Sequence, residues 1–169
     1  MPRLLAASLF ALGLASSQAR AEARYVETPY APPRAVFDFY FDEPQKIGPA
    51  LFWVRALVNT LGDAPYAYPP EDMRIVVVIH GAEIVTLAKK NVDRYPEAVE
   101  RMRYYAGLGV QFRVCGQAAA DYGYRVTDFQ DFVVVVPNAI SELGHWQQQG
   151  YAQIVPRLME KRFSIEAIR

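Results

Sequence analysis

The chain has 169 residues, with 18 basic and 18 acidic side chains and a formal charge of zero. Without an excess of positive charge it has no electrostatic footprint for nucleic acid or for an anionic membrane surface. Its single cysteine excludes an internal disulfide framework, and the absence of C-x-x-C excludes a dithiol redox motif, so stability has to come from packing.

Residues 1 to 21, MPRLLAASLFALGLASSQARA, carry Arg3, an apolar run from Leu4 to Leu14 and a small-x-small site at Ala19-Arg20-Ala21. This is the pattern of a secretory signal peptide, and the run falls short of the about 20 apolar residues that cross a bilayer. The sequence therefore predicts a periplasmic or secreted protein with no stable membrane insertion once the signal is cut. Cleavage after Ala21 removes Arg3 and Arg20 and leaves 148 residues with 16 basic and 18 acidic side chains, a formal charge of −2. That is the length of one ordinary domain.

Residues 22 to 33, with three prolines and no apolar periodicity, read as an extended leader to a single domain over 34 to 169. Ala35 to Phe41, AVFDFYF, reads as the first strand. Ile47, Leu51, Val54, Val58 and Leu61 then recur at helical spacing on one face. The prolines of residues 61 to 72 mark a loop. MRIVVVIHG, residues 73 to 81, is a β-branched run suited to a strand buried on both faces of a parallel sheet. EIVTLAKKN is expected as a short helix, and Pro96 starts another through Leu108 with Val99, Met102 and Ala106 inward. Val110 to Cys115 reads as a third strand, Gln117 to Tyr122 as a short helix, and Phe132 to Pro137 as a fourth strand. Ala139 to Gln149 forms a helix stopped by Gly150, and Tyr151 to Val155 a last strand before a charged, helical tail. This alternation predicts an α/β sandwich around a mostly parallel five-stranded sheet.

Ligands of open parallel sheets bind outside the carboxyl ends of the strands. The residues at those ends are His80 and Gly81, Cys115 and Gly116, and Pro137 and Asn138. Cys115 stands where a strand turns into a helix that begins near Gly116 and Gln117. Free backbone N–H groups there would favour a thiolate. A lone cysteine is equally consistent with a small core side chain. His80 is placed to line a pocket with Cys115, or to deprotonate it, if the two strands are neighbours; it also suits the plain role of a polar group closing a buried strand. Asn138 is the natural N-cap of the following helix, a role compatible with lining the site. His145 reads as a partly exposed helix residue. One cysteine and two distant histidines do not make a zinc site, and no G-x-G-x-x-G or P-loop stretch calls for a nucleotide cofactor.

Three stretches taken in order, VVVIHGAEIVTL, LGVQFRVCGQAAADYGY and VVVVPNAISELGHWQQQGYAQIVP, resemble the DsrE/DsrF-like family of small sulfur-relay-type proteins, in particular its single-domain, often exported branch. The resemblance spans residues 35 to 156. It implies a three-layer α/β/α sandwich, a homo-oligomer that is commonly trimeric or hexameric, and sulfane sulfur held as a persulfide on Cys115 and passed between donor and acceptor proteins. Gly81, Gly116 and Gln117 then line the binding site with His80 and Asn138. Such a protein would be a sulfurtransferase-like carrier without independent turnover. A non-catalytic small-ligand or assembly module with an incidental cysteine is the alternative, followed by a hydrolase built on Cys115 and His80.

Overall fold

The structure is a computed structural model and describes residues 22–169; the export signal read from the sequence lies outside the described residues. Four β-branched or aromatic runs form the strands β1 (Arg34–Phe39), β2 (Arg74–Ile79), β3 (Gln111–Cys115) and β4 (Val133–Val136), and the short Ala-Gln-Ile segment forms β5 (Ala152–Ile154). They lie in the order β4-β3-β2-β1-β5, and every neighbouring pair is parallel, one step beyond the mostly parallel sheet predicted.

This order dictates where the helices go. From β1 to β4 the chain moves steadily toward one edge, so right-handed crossovers put their connections on one face of the sheet. The return from β4 to β5 runs the other way and delivers its helix to the opposite face. Accordingly α1 (Ile47–Gly62) and α2 (Pro96–Gly107) cover the face that carries Ala35, Phe37, Phe39, Ile75, Val77, Ile79, Phe112 and Val114. Helix α4 (Ala139–Gln148) covers the other face, where Ala139 and Leu143 pack on Val36, Val76, Val78 and Cys115. The result is the three-layer sandwich, with the period-2 alternation of each strand sorting its side chains between two cores. The core under α1 and α2 is the larger. Phe37, Phe39 and Phe112 are fully buried in it, each worth roughly 1.5–3 kcal/mol of burial.

Local signals set the helix ends. Pro96 occupies the first turn of α2, and Gly109, with φ +92°, makes the left-handed turn after it. Asn138 caps α4, its Oδ1 accepting from the amides of Ile140 at 2.8 Å and Ser141 at 3.3 Å. The short α3 (Gly116–Asp121) follows β3 without a loop.

The structure corrects two local readings. Residues 83 to 91, expected as a helix, fall into 3-10 turns over Ala82–Leu87 and Lys89–Arg94, interrupted where Ala88 pairs antiparallel with Phe129. The cause is Glu83, which turns inward to bind the backbone at the ends of β1 and β2 instead of facing solvent. The tail is helical only in α5 (Ile165–Ile168), because Phe163, Ile165 and Ile168 are exposed and no packed face supports a longer helix. Among the described residues no helix is long and apolar enough to cross a membrane.

Candidate functional site

The chain leaves β3 for the face covered by α1 and leaves β4 for the face covered by α4, so the connections part between the carboxyl ends of these two strands. Such a parting opens a crevice. Cys115, Gly116, Gln117 and Asn138 all lie there. Gly116 is required by the closeness of the two strand ends, since a Cβ would stand 2.9 Å from the carbonyl oxygen of Val136. The amide of Gln117 donates to the carbonyl of Pro137 at 3.3 Å, and Asn138 Nδ2 donates to Gln117 Oε1 at 2.8 Å. The capping residue of α4 thus also locks the first turn of α3.

Cys115 ends β3 with its side chain against Val36, Val76, Val78, Ala139 and Leu143, and it retains 4% of its surface. Its Sγ accepts a hydrogen bond from the amide of Ala118 at 3.5 Å. The thiol is therefore neither open nor sealed: it forms part of the wall of a cleft of about 170 Å3 shared with His80, Gln117, Ala118, Asp121, Asn138, Ala139 and Ile140. A second hollow of about 530 Å3 continues from it past His80, Ala118 and Asp121 to Tyr40, Gly81 and Tyr122.

The β2–β3 register pairs Ile79 with Val114, so His80 and Cys115 are the next neighbours along the two strands and share the α4 face. They meet at the cleft without a hydrogen bond between them. His80 Nε2 instead bonds Asp38 Oδ1 at 2.8 Å, and the ring stacks on Tyr40 with centroids 4.8 Å apart. Asp38 Oδ2 accepts from Gln153 Nε2 at 2.9 Å, and Gln153 Oε1 accepts from Gln147 Nε2 at 2.7 Å. Sequence reasoning passed over Asp38, although one carboxylate inside AVFDFYF was a signal; Gln153 carried none.

The second missed residue is Glu83, fully buried, with Oε1 accepting from the amide of Gly81 at 2.9 Å and Oε2 from that of Phe41 at 3.0 Å. Burial pushes its carboxyl above the usual range, against the opposing pull of those amides. The carboxylate staples the turn after β1 to the turn after β2 and so shapes the floor beneath His80. Gly81 lies in the same joint, where a Cβ would collide with the backbone N and O of Phe41. Gly81→Ala is expected to lower stability by about 1–3 kcal/mol through this overpacking, read as a fall in the urea midpoint; an unchanged midpoint would contradict the joint's tightness.

Arg113, two residues before Cys115 on the same face, is engaged by α4. It pairs with Glu142 Oε1 on α4 at 3.0 Å and lies 4.9 Å over the ring of Trp146, whose Nε1 donates to the same carboxylate oxygen at 2.7 Å. His145 is exposed on α4, away from the cleft residues. Among the described residues no cluster of His, Cys, Asp and Glu could hold a metal ion.

Residues 36–156, which run from β1 through β5 and hold the whole cleft, match the model of the DsrE/DsrF-like family. The chain belongs to the DsrE/DsrF-like family. Among solved structures, a protein of unknown function, MTH1491 from Methanobacterium thermoautotrophicum, shares the DsrE-like fold with a TM-score of 0.59 and 24% identity, covering 73% of this chain and 99% of that one. No match was found among curated proteins. The DsrE/DsrF-like assignment confirms both the resemblance and the layered α/β architecture read from the sequence.

Proposed function

We propose that the protein is a periplasmic sulfur carrier that holds sulfane sulfur as a persulfide on Cys115. Membership of the DsrE/DsrF-like family supports a role in sulfur relay. The observation that carries the finer reading is the placement of the one thiol. Cys115 Sγ lies at the crevice between β3 and β4, receives the Ala118 amide and borders a cleft lined by His80, Gln117 and Asn138.

At about 170 Å3 the cleft holds only a few atoms beyond the sulfur. It suits the tip of a persulfide or a short polysulfide, and the adjoining hollow of about 530 Å3 leaves space for the donor that carries it. In transfer, the Cys115 thiolate attacks the outer sulfur of the donor; a bond forms between the two sulfurs, the donor's sulfur–sulfur bond breaks, and its electron pair departs on the donor thiolate. No net oxidant is needed.

Incubation with polysulfide, followed by intact-mass and peptide analysis, is expected to add the mass of one sulfur atom at Cys115, reversible by a thiol reductant, while Cys115→Ser takes up none. A folded protein whose Cys115 stays unmodified while the same thiol reacts after denaturation would overturn the carrier and favour the binding module.

A further inference from the structure

A carboxylate inside a central strand is costly unless its oxygens are engaged. Asp38 is such a group, with only 18% of its side chain exposed, and no Lys or Arg among the described residues pairs with it. Its partners are directional instead. One oxygen meets His80 Nε2 and the other Gln153 Nε2, which is held by Gln147 from the end of α4. Because a carboxylate only accepts, the neutral ring of His80 carries its proton on Nε2, and Nδ1 is left as the acceptor. Stacking on Tyr40 restricts the ring further. The result is an imidazole of fixed tautomer and orientation, on the strand next to that of Cys115 and in the wall of the same cleft.

We propose that His80 is the proton acceptor and donor for sulfur transfer at Cys115, with Asp38 and Gln153 as its positioning residues. The proposal rests on the carrier reading and adds the fate of the proton. On arrival of a persulfide donor the Sγ–H bond breaks and the proton passes to His80 Nδ1, directly or through one water in the cleft. Sγ then bonds the outer sulfur, the donor's sulfur–sulfur bond breaks, and the departing thiolate takes the proton back from His80. Thiol plus persulfide gives persulfide plus thiol, with no electrons gained or lost. The titratable groups that enter any pH profile are Asp38 and Tyr40, in contact with the ring, Asp42, Cys115, Asp121 and Tyr122, which line the two hollows with it, and Glu83, whose carboxyl feels the charge of His80.

The test is the rate of iodoacetamide alkylation of Cys115 across pH in the wild type, Asp38→Asn and His80→Gln, with near-UV circular dichroism to confirm folding and denatured protein as the total-thiol control. Both variants are expected to react at least about tenfold more slowly near neutral pH, a modest share of the 10²–10⁴ that a positioned base contributes. Near pH 10, above the free thiol's about 8.5, the rates are expected to converge because the thiolate forms unaided. Superimposable profiles, or a deficit that persists at high pH, would overturn the assignment. Alkylation uses no sulfur donor, so its outcome stands apart from polysulfide loading: failed loading with an intact His80-dependent profile removes the carrier, and the reverse removes only the proton route.

Discussion

Glu83→Ala is expected to lower the stability of the protein by about 3–5 kcal/mol, a large share of the about 5–15 kcal/mol that holds an ordinary domain together. The side chain has no exposed surface and accepts from two backbone amides, those of Gly81 and Phe41. Truncation leaves both donors without partners, at about 1–3 kcal/mol each, and opens a cavity beneath the site. Glu83→Gln is expected to fall between, since its amide retains one acceptor oxygen and turns an N–H donor toward the other amide.

The same carboxyl gives stability a pH dependence of definite sign. Burial raises its folded pKa above the unfolded value near 4.3, so the folded protein binds this proton more tightly. The stabilisation is complete below about 4.3 and is lost as pH rises through the raised folded value. Urea unfolding of the wild type and Glu83→Gln at several pH values is therefore expected to show a wild-type advantage that shrinks with rising pH; an advantage that grows would contradict the assignment.

Arg113→Ala is expected to cost about 2–4 kcal/mol. The two side chains of the Arg113–Glu142 pair are 22% and 13% exposed, which tempers the about 3–5 kcal/mol measured when a fully buried pair loses one partner. Removing the guanidinium leaves the Glu142 carboxylate with Trp146 Nε1 alone and strips the cation from the Trp146 ring. Arg113 Nε is itself buried without a partner. The pair is thus a compromise, and Arg113→Met with Glu142→Leu is expected to recover most of the loss. Because the pair ties α4 to β3 above Cys115, the single variant is also expected to expose the thiol and speed its alkylation. Chemical denaturation and alkylation kinetics on the three proteins check both outcomes; a neutral single substitution would show that α4 is held by Leu143 and Asn138 without the ion pair.

The sandwich was legible because its strands announce themselves. RIVVVI, QFRVC and VVVV are β-branched or aromatic runs between turn residues, and the stripe from Ile47 to Leu61 has helical period. The edge of the sheet followed from the parallel reading, which assigns His80, Gly81, Cys115, Gly116, Gln117 and Asn138 to the carboxyl ends of the strands. The residues around 83 were misread because AEIVTLAKKN has helical composition, and nothing local shows that Glu83 spans 42 positions to the amide of Phe41. The tail was misread because apolar and charged residues suggest an amphipathic helix only where a surface exists to receive one.

By itself the sequence determined the five strands, the helices α1, α2 and α4, the lone thiol at a strand end and the cap at Asn138, since all of these depend on neighbours within a few positions. Tertiary structure alone decided that Asp38 meets His80, that Gln153 completes the carboxylate, that Arg113 faces Glu142, and that Cys115 is enclosed yet still reaches a cleft. Each of those depends on strand order and register, where a shift of one residue turns every side chain to the opposite face.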